Sequence, residues 1–234
     1  MIIGINLIST GKYHIFVQPL IDSIETYFLN DHKLIIYLFS DKIPEYSTSD
    51  RIKIIHIPTE HKPFPFPTLF RYKLFSDNAS IYSTDFLFYL DVDMKIVEVI
   101  GEEILPNNME ENGITAILHP GFYQSGGAWG SNPLSTSYTA PEHRKRYFCG
   151  GFQGGETQTY LRAAKEMAEN IDADYKKGII AQWHDETHWN KFLSNKTKKV
   201  LSPSYCYPEA TWAEGMPFVK KILALEKNHS EIRS

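Results

Sequence analysis

The sequence predicts one α/β domain. Apolar runs of strand length alternate along it with amphipathic stretches of helix length, the order that builds a central sheet flanked by helices. A chain of 234 residues with 42% hydrophobic and 14% aromatic content can bury one sizeable core. No internal repeat or interdomain linker divides it. The net charge of −4 provides no basic field, and no cluster of Lys or Arg is dense enough to track a nucleic-acid backbone, so no nucleic-acid partner is expected.

The elements follow in order. Residues 2–8 predict a first strand, and Ile15 to Leu29 an amphipathic helix interrupted or kinked near Pro19. Lys33 to Phe39 and Ile52 to Ile57 predict further strands. After the Pro-rich residues 63–67, Thr68 to Phe75 begin a helix, residues 86–90 form a buried strand, and Ile114 to Leu118 a short one. Residues 124–141, rich in Gly, Ser, Thr and Pro, show no periodicity, and a loop this long in a compact domain predicts an active-site flap. Glu156 to Ile171 places Tyr160, Ala163, Ala164, Met167 and Ile171 on one helical face, and His184 to Leu193 predicts a shorter helix.

Two cysteines, Cys149 and Cys206, fall in no metal-binding or disulfide-rich spacing, which suits a reducing compartment. The N-terminus has no basic region before a long apolar core, and no run of about 18 apolar residues occurs. A soluble, cytoplasmic protein without a membrane anchor is expected.

Two polar constellations stand out. Asp91 and Asp93 follow the apolar strand at 86–90, where ligands bind in open α/β sheets. In an extended segment both carboxylates face the same way, toward one hard cation, with Val92 turned into protein. An EF-hand would need glycine at its sixth position, which here is Ile96; a solvated turn ending the strand is the structural alternative. The second constellation is Gln182-Trp183-His184-Asp185-Glu186-Thr187-His188-Trp189-Asn190. Asp185 and Glu186 would occupy the first turn of a helix, where the macrodipole favours negative charge. His184 and His188 have the spacing of a zinc-protease helix, but Asp185 stands where that site needs Glu and no further histidine extension follows.

Taken together, these segments resemble glycosyltransferase family 6, the group of histo-blood-group A and B transferases and α-1,3-galactosyltransferase. Asp91-Val92-Asp93-Met94 resembles the family's Asp-Val-Asp motif, and Leu118-His119-Pro120-Gly121-Phe122-Tyr123 its His-Pro-Gly-Phe-Tyr segment. Trp183-His184-Asp185-Glu186-Thr187-His188 resembles Trp-His-Asp-Glu-Ser-His, and Leu201-Ser202-Pro203-Ser204-Tyr205 resembles Leu-Ser-Pro-Glu-Tyr, in the family's order. The resemblance runs from Ile3 to Arg233. It implies a single GT-A domain over 1–234 with a mixed central sheet, a Rossmann-like nucleotide-binding half at about 1–95, and an acceptor-binding half with a closing tail at about 96–234.

The resemblance also implies roles. Ile8, Thr10 and Tyr13 match the uridine-contacting stretch, with an aromatic ring against the base. Arg71 matches an arginine that reaches the donor, and Asp91 and Asp93 would bind Mn2+ or Mg2+ with the UDP diphosphate. Lys227 and Arg233 match basic residues that close over the diphosphate, answering how a net-negative chain binds one. Cys149, Gly150 and Gly151 match the segment beside the donor sugar, and small residues there imply UDP-GalNAc over UDP-galactose.

Asp185 would hydrogen-bond donor-sugar hydroxyls, and Glu186 would act as nucleophile, oxocarbenium stabiliser or acceptor-hydroxyl ligand in transfer with retention. His119 and Trp183 would bind the acceptor sugar. Thr187 replaces Ser, Trp189 replaces Leu, and Tyr205-Cys206-Tyr207-Pro208-Glu209 departs from Tyr-x-Trp-Asp, which moves the acidic acceptor contact to Glu209. The implied activity is a metal-dependent, retaining α-1,3-GalNAc- or galactosyltransferase acting on a terminal β-galactoside that can carry fucose, in a small microbial or viral type of member. A catalytically weak UDP- or sugar-binding module and a zinc metallohydrolase are the alternatives.

Overall fold

The computed structural model describes residues 1–107 and 111–233. Strands β1 (Ile2–Ser9), β2 (Lys33–Ser40), β3 (Ile52–Pro58) and β4 (Phe86–Leu90) lie parallel, with β1 paired to both β2 and β4. β5 (Met94–Ile96) leaves that sheet, and β6 (Ile114–Leu118) and β7 (Phe148–Glu156) return to it antiparallel to one another. With β8 (Lys199–Leu201), the seven-stranded order is β3-β2-β1-β4-β7-β6-β8. β9 (Tyr207–Pro208) and β10 (Ile222–Ala224) join β5 in a three-stranded sheet. The mixed α/β expectation holds.

Helices cover both faces of the large sheet. Ile3, Ile5 and Leu7 pack against Val17, Leu20, Ile21 and Ile24 of α1 (Val17–Tyr27). On the opposite face Tyr37, Phe39 and Leu87 pack with residues of α3 (Arg71–Asp77), α4 (Thr157–Tyr175) and α5 (His184–Leu193). β4 shows the period-two rule directly, sending Phe88 and Leu90 to one cluster and Leu87 and Tyr89 to the other. The helical face anticipated at Tyr160, Ala163, Ala164, Met167 and Ile171 is buried.

Several expectations are corrected. Residues Gly11–Phe16 form a 3-10 turn rather than the start of α1, and Pro19 sits in the helix's first turn, where backbone N–H groups have no intrahelical acceptor, so nothing is kinked. The helix anticipated from Thr68 divides at Phe70 into α2 (Phe66–Leu69) and α3. α4 starts one residue later than expected and runs on to Tyr175, with the Glu156 carboxylate accepting from the Thr159 N–H at its N-terminus. Asp91 to Asp93 is a turn, closed by the Met94 N–H on the Asp91 carbonyl at 3.1 Å, rather than extended chain. Val92 is nevertheless buried as expected.

The largest omission was β7, whose glycines hide any hydrophobic alternation. Those glycines let β7 and β4 approach: a Cβ on Gly154 would overlap the Leu87 carbonyl. The 124–141 segment lacks helix and strand except for a 3-10 turn beginning at Pro141, as expected, but its second half is pinned rather than free. The Asp174 carboxylate of α4 accepts from Ser135 Oγ at 2.5 Å and from the Thr136 N–H at 2.9 Å, and Ser135, Ser137 and Thr139 are buried. Asp174→Ala is therefore expected to lower thermal stability by about 1–3 kcal/mol through the orphaned donors. An unchanged melting curve would show that the loop is held by packing alone.

Candidate active site

The sheet brings the site together at one end. Because β1 and β4 are parallel and register Asn6 opposite Tyr89, Ile8 to Thr10 and Asp91 emerge side by side. β7 runs antiparallel to β4 with Leu90 opposite Phe152, so its beginning, Cys149 to Gly151, lies at the same end. This is the point where strand direction reverses, the place where open sheets bind ligands. A cleft of about 160 Å³ there is lined by Ile8, Thr10, Tyr13, Arg71, Asp91 and Asp93, and by Lys227 and Arg233 of the tail. A groove of about 740 Å³ adjoins it, sharing Ile8 and Thr10 but carrying neither aspartate.

Arg71 organises the carboxylates. Its guanidinium is 3% exposed and lies 3.4 Å from Asp91 Oδ1 and 3.2 Å from Asp185 Oδ2. It also donates to the Gly150 carbonyl at 3.0 Å and stacks 4.2 Å from the Tyr89 ring centre. Burial alone would push the guanidinium pKa down, but Asp185, Tyr89 and Asp91 hold it above its ordinary value. The Tyr89 hydroxyl donates to Asp91 Oδ1 at 2.5 Å.

β7 supplies the floor. A Cβ on Gly150 would stand 3.2 Å from Asp185 Oδ2 and 3.6 Å from Glu186 Oε2, and one on Gly151 would stand 2.9 Å from Asp91 Oδ2. Two adjacent glycines thus touch three carboxylates. The Gly150 N–H donates to Glu186 Oε2 at 2.8 Å, and the Tyr72 hydroxyl fixes Gln153, whose amide donates to the Gly150 carbonyl at 2.9 Å. Cys149 and Cys206 are buried, reduced neighbours beneath this floor.

Asp185 and Glu186 occupy the first turn of α5, as anticipated. The residue before them, His184, takes φ 49°, a left-handed value uncommon outside glycine and of the kind that collects at functional sites. Burial pushes the Asp185 carboxyl up to about 7, although Arg71 opposes it. Burial also pushes Glu186 up to about 7, against the Gly150 N–H and the Tyr147 hydroxyl.

The two histidines of the zinc-like spacing serve different neighbours. The His184 ring packs edge-on against Phe64 at 5.1 Å, whereas His188 is buried with Nε2 3.9 Å from Asp174, where burial lowers its pKa to about 4. Among the described residues no group of three or more His, Cys, Asp or Glu is arranged to hold a metal. The zinc-hydrolase alternative has no geometry behind it.

Asp91 and Asp93 do fit a hard cation shared with ligand oxygens. Both are carboxylates at the mouth of β4, and the Lys227 ammonium pairs with Asp93. Burial and the neighbouring Asp91 push the Asp93 pKa up, and the Lys227 ammonium opposes them, so positive charge at this spot relieves two crowded carboxylates. Arg233 lies 3.9 Å over the Phe64 ring, and Lys12 donates to the Glu231 carbonyl, so the tail through α6 (His229–Ile232) is docked.

The anticipated acceptor residues lie to one side. His119 is half-buried with its ring 5.6 Å from that of Tyr147, which borders Glu186, and burial lowers the His119 pKa to about 4, keeping the imidazole neutral. Trp183 is 52% exposed at the entry to α5. Glu209 is exposed and accepts from the Glu226 N–H. The sequence reading missed Tyr72, Tyr89, Tyr147 and Gln153, which hold the site from beneath; the polar tip of Tyr89, two residues before Asp91, was the available signal.

The model of glycosyltransferase family 6 matches residues 1–234. Histo-blood group ABO system transferase 1 of Rattus norvegicus is 30% identical over 99% of this chain and 68% of its own length. Globoside alpha-1,3-N-acetylgalactosaminyltransferase 1 of Homo sapiens is 27% identical over 99% of this chain and 68% of its own. O-antigen biosynthesis glycosyltransferase WbnI of Escherichia coli is 27% identical over 89% of each chain. Among the described residues no helix is long and apolar enough to cross a membrane. The seven-stranded mixed sheet with helices on both faces is a GT-A fold, and the chain belongs to glycosyltransferase family 6.

Proposed function

We propose that the protein transfers GalNAc, or less readily galactose, from a UDP-sugar to the 3-hydroxyl of a terminal β-galactoside, with retention at the anomeric carbon. The observation that carries this reading is the meeting of Asp91, Asp185 and Glu186 around Arg71 and the Gly150–Gly151 floor. Residues 1–95 act as the nucleotide-binding half, and residues 96–234 as the acceptor half and closing tail.

Tyr13, Ile8 and Thr10 receive the uridine, Arg71 orients the donor, and Lys227 and Arg233 close on its phosphates. Asp91 and Asp93 would hold Mn2+ or Mg2+, which supplies charge stabilisation to the departing diphosphate. The cleft is smaller than the roughly 300–1,000 Å³ usual for ligand sites, and Lys227, Ile232 and Arg233 form part of its wall. The tail therefore swings aside before the donor enters.

In the transfer, the bond from the anomeric carbon to the diphosphate oxygen breaks, and a new one forms to the acceptor oxygen. The acceptor proton leaves on the departing phosphate in front-face attack; if Glu186 first bonds the sugar and expels the diphosphate, the acceptor oxygen then displaces the Glu186 carboxylate and its proton passes to the released diphosphate. Asp185 holds sugar hydroxyls, and neutral His119 with the exposed Trp183 face cradles the acceptor. A fucosylated lactose incubated with each donor is expected to give a product whose new anomeric proton shows the small coupling of an α linkage, on O3. A β-linked product would overturn retention.

Donor choice rests on Gly151. An added Cβ would press on Met94 Cε at 2.6 Å and on Asp91 Oδ2 at 2.9 Å, narrowing the space beside the sugar. Gly151→Ala is expected to cut kcat/KM for UDP-GalNAc by more than for UDP-galactose, by about tenfold, since one misplaced methyl is worth roughly 1–3 kcal/mol. An equal loss for both donors would mean that Gly151 serves the aspartate turn and not the 2-acetamido group.

A further inference from the structure

A second pocket lies at the far end of α5 and plays no part in the donor cleft. It encloses about 600 Å³ and is lined by His143, Lys145, Arg146, Lys196 and Lys198 over the aromatic surface of Trp129 and Phe148. No carboxylate lines it, in a chain whose net charge is −4.

Part of that charge has a structural use. Lys198 donates to the Leu193 carbonyl at 2.5 Å, and Lys196 to the Phe192 carbonyl at 3.2 Å, so both cap the C-terminal turn of α5. Lys145 and Arg146 have no such use: they are exposed, and among the described residues neither side chain has an ion-pair or hydrogen-bond partner. The charges nevertheless crowd one another. After burial, the proximity of Lys196, Arg146 and Lys145 helps lower the Lys198 pKa to about 8.

Such crowding costs stability unless an anion sits among the cations. A monoanion would leave most of the charge uncompensated; a phosphoryl group with two or more negative charges matches it and suits arginine's planar donors. We propose that this pocket binds a phosphate- or diphosphate-bearing ligand, with Lys145 and Arg146 as its principal contacts.

Its position ties it to the acceptor side. The Trp129 ring lies 5.2 Å from that of Tyr147, which borders Glu186, and Asn190 of α5 clamps both backbone polar groups of Phe148. Leu193 lies about 10 Å from Glu186 along the helix at ~1.5 Å per residue. A phosphoryl group carried at the far end of an acceptor and a free phosphate present the same chemistry to the pocket.

Calorimetric titration of the full chain with inorganic pyrophosphate in EDTA tests the site without reference to the transfer reaction. Saturable binding is expected, weakened by more than about tenfold in Lys145→Gln/Arg146→Gln, given the strength of charge-assisted contacts. Absent binding at millimolar pyrophosphate, or equal affinity in the double variant, overturns the proposal. Both positions are exposed, so the variant folds. Transfer kinetics then identify the source: with an acceptor-borne group, the double variant raises KM only for a β-galactoside ending in a diphosphate. With a free phosphate as ligand, the double variant loses pyrophosphate binding and changes neither KM.

Discussion

Arg71→Met is expected to abolish turnover and to lower the melting temperature by roughly 10 °C. The guanidinium is buried against Asp91, Asp185 and the Gly150 carbonyl, so its removal strands two carboxylates in a poorly solvated site. Breaking one side of a buried charge network costs about 3–5 kcal/mol, and each kcal/mol is worth about 2–4 °C in a domain of this size. Arg71→Lys should recover part of the stability and little of the activity, because one ammonium cannot span three acceptors held by a planar fork. A methionine variant that melts with the wild type would show that the Arg71 guanidinium does not hold these carboxylates in place.

Glu186→Gln should separate catalysis from folding. Gln retains an oxygen for the Gly150 N–H but cannot act as nucleophile or charge stabiliser, so transfer is expected to fall by a factor of about 10²–10⁴ with UDP binding intact. Stability should move the other way. Burial raises the Glu186 carboxyl from 4.5 to about 7, so between those values the folded protein holds a proton that the unfolded chain has released. The contribution of Glu186 therefore falls as pH rises from about 4.5 through 7. Gln escapes that penalty: the variant should match the wild type near pH 4.5 and exceed it above pH 7, by about 1–2 kcal/mol once partial solvent exposure is counted. A stability difference independent of pH would place the folded carboxyl at its ordinary value. Wild-type turnover would remove Glu186 from the chemistry.

The sequence disclosed the parts of the site that carry charge and concealed those that carry position. Asp91, Asp185 and Glu186 stand in short, polar segments beside apolar runs, and the parallel strands 2–8, 33–39 and 86–90 were legible because both faces of each are buried, while 52–57, a half-buried strand at the sheet edge, still carries a run of isoleucines. β7 was not legible, since a strand reading Cys-Gly-Gly-Phe-Gln-Gly-Gly gives up side-chain alternation for close backbone approach. The contacts that bind the site are long-range as well. Arg71 meets Gly150 across 79 positions and Tyr72 meets Gln153 across 81, separations at which no local pattern carries information.

The loop at 124–141 teaches the same lesson, because its composition signals freedom while Asp174, 39 positions beyond Ser135, holds it in place. Asp91-Val92-Asp93 was read as extended from its spacing, yet the chain turns there to start β5. The turn still leaves both carboxylates lining one cleft.

The most direct test of the central claim is UDP release from UDP-GalNAc, measured with a fucosylated lactose acceptor in manganese and again in EDTA. Release stimulated by the acceptor and lost in EDTA is the predicted result. Release at the same rate in EDTA would contradict the assignment of Asp91 and Asp93 to a catalytic cation.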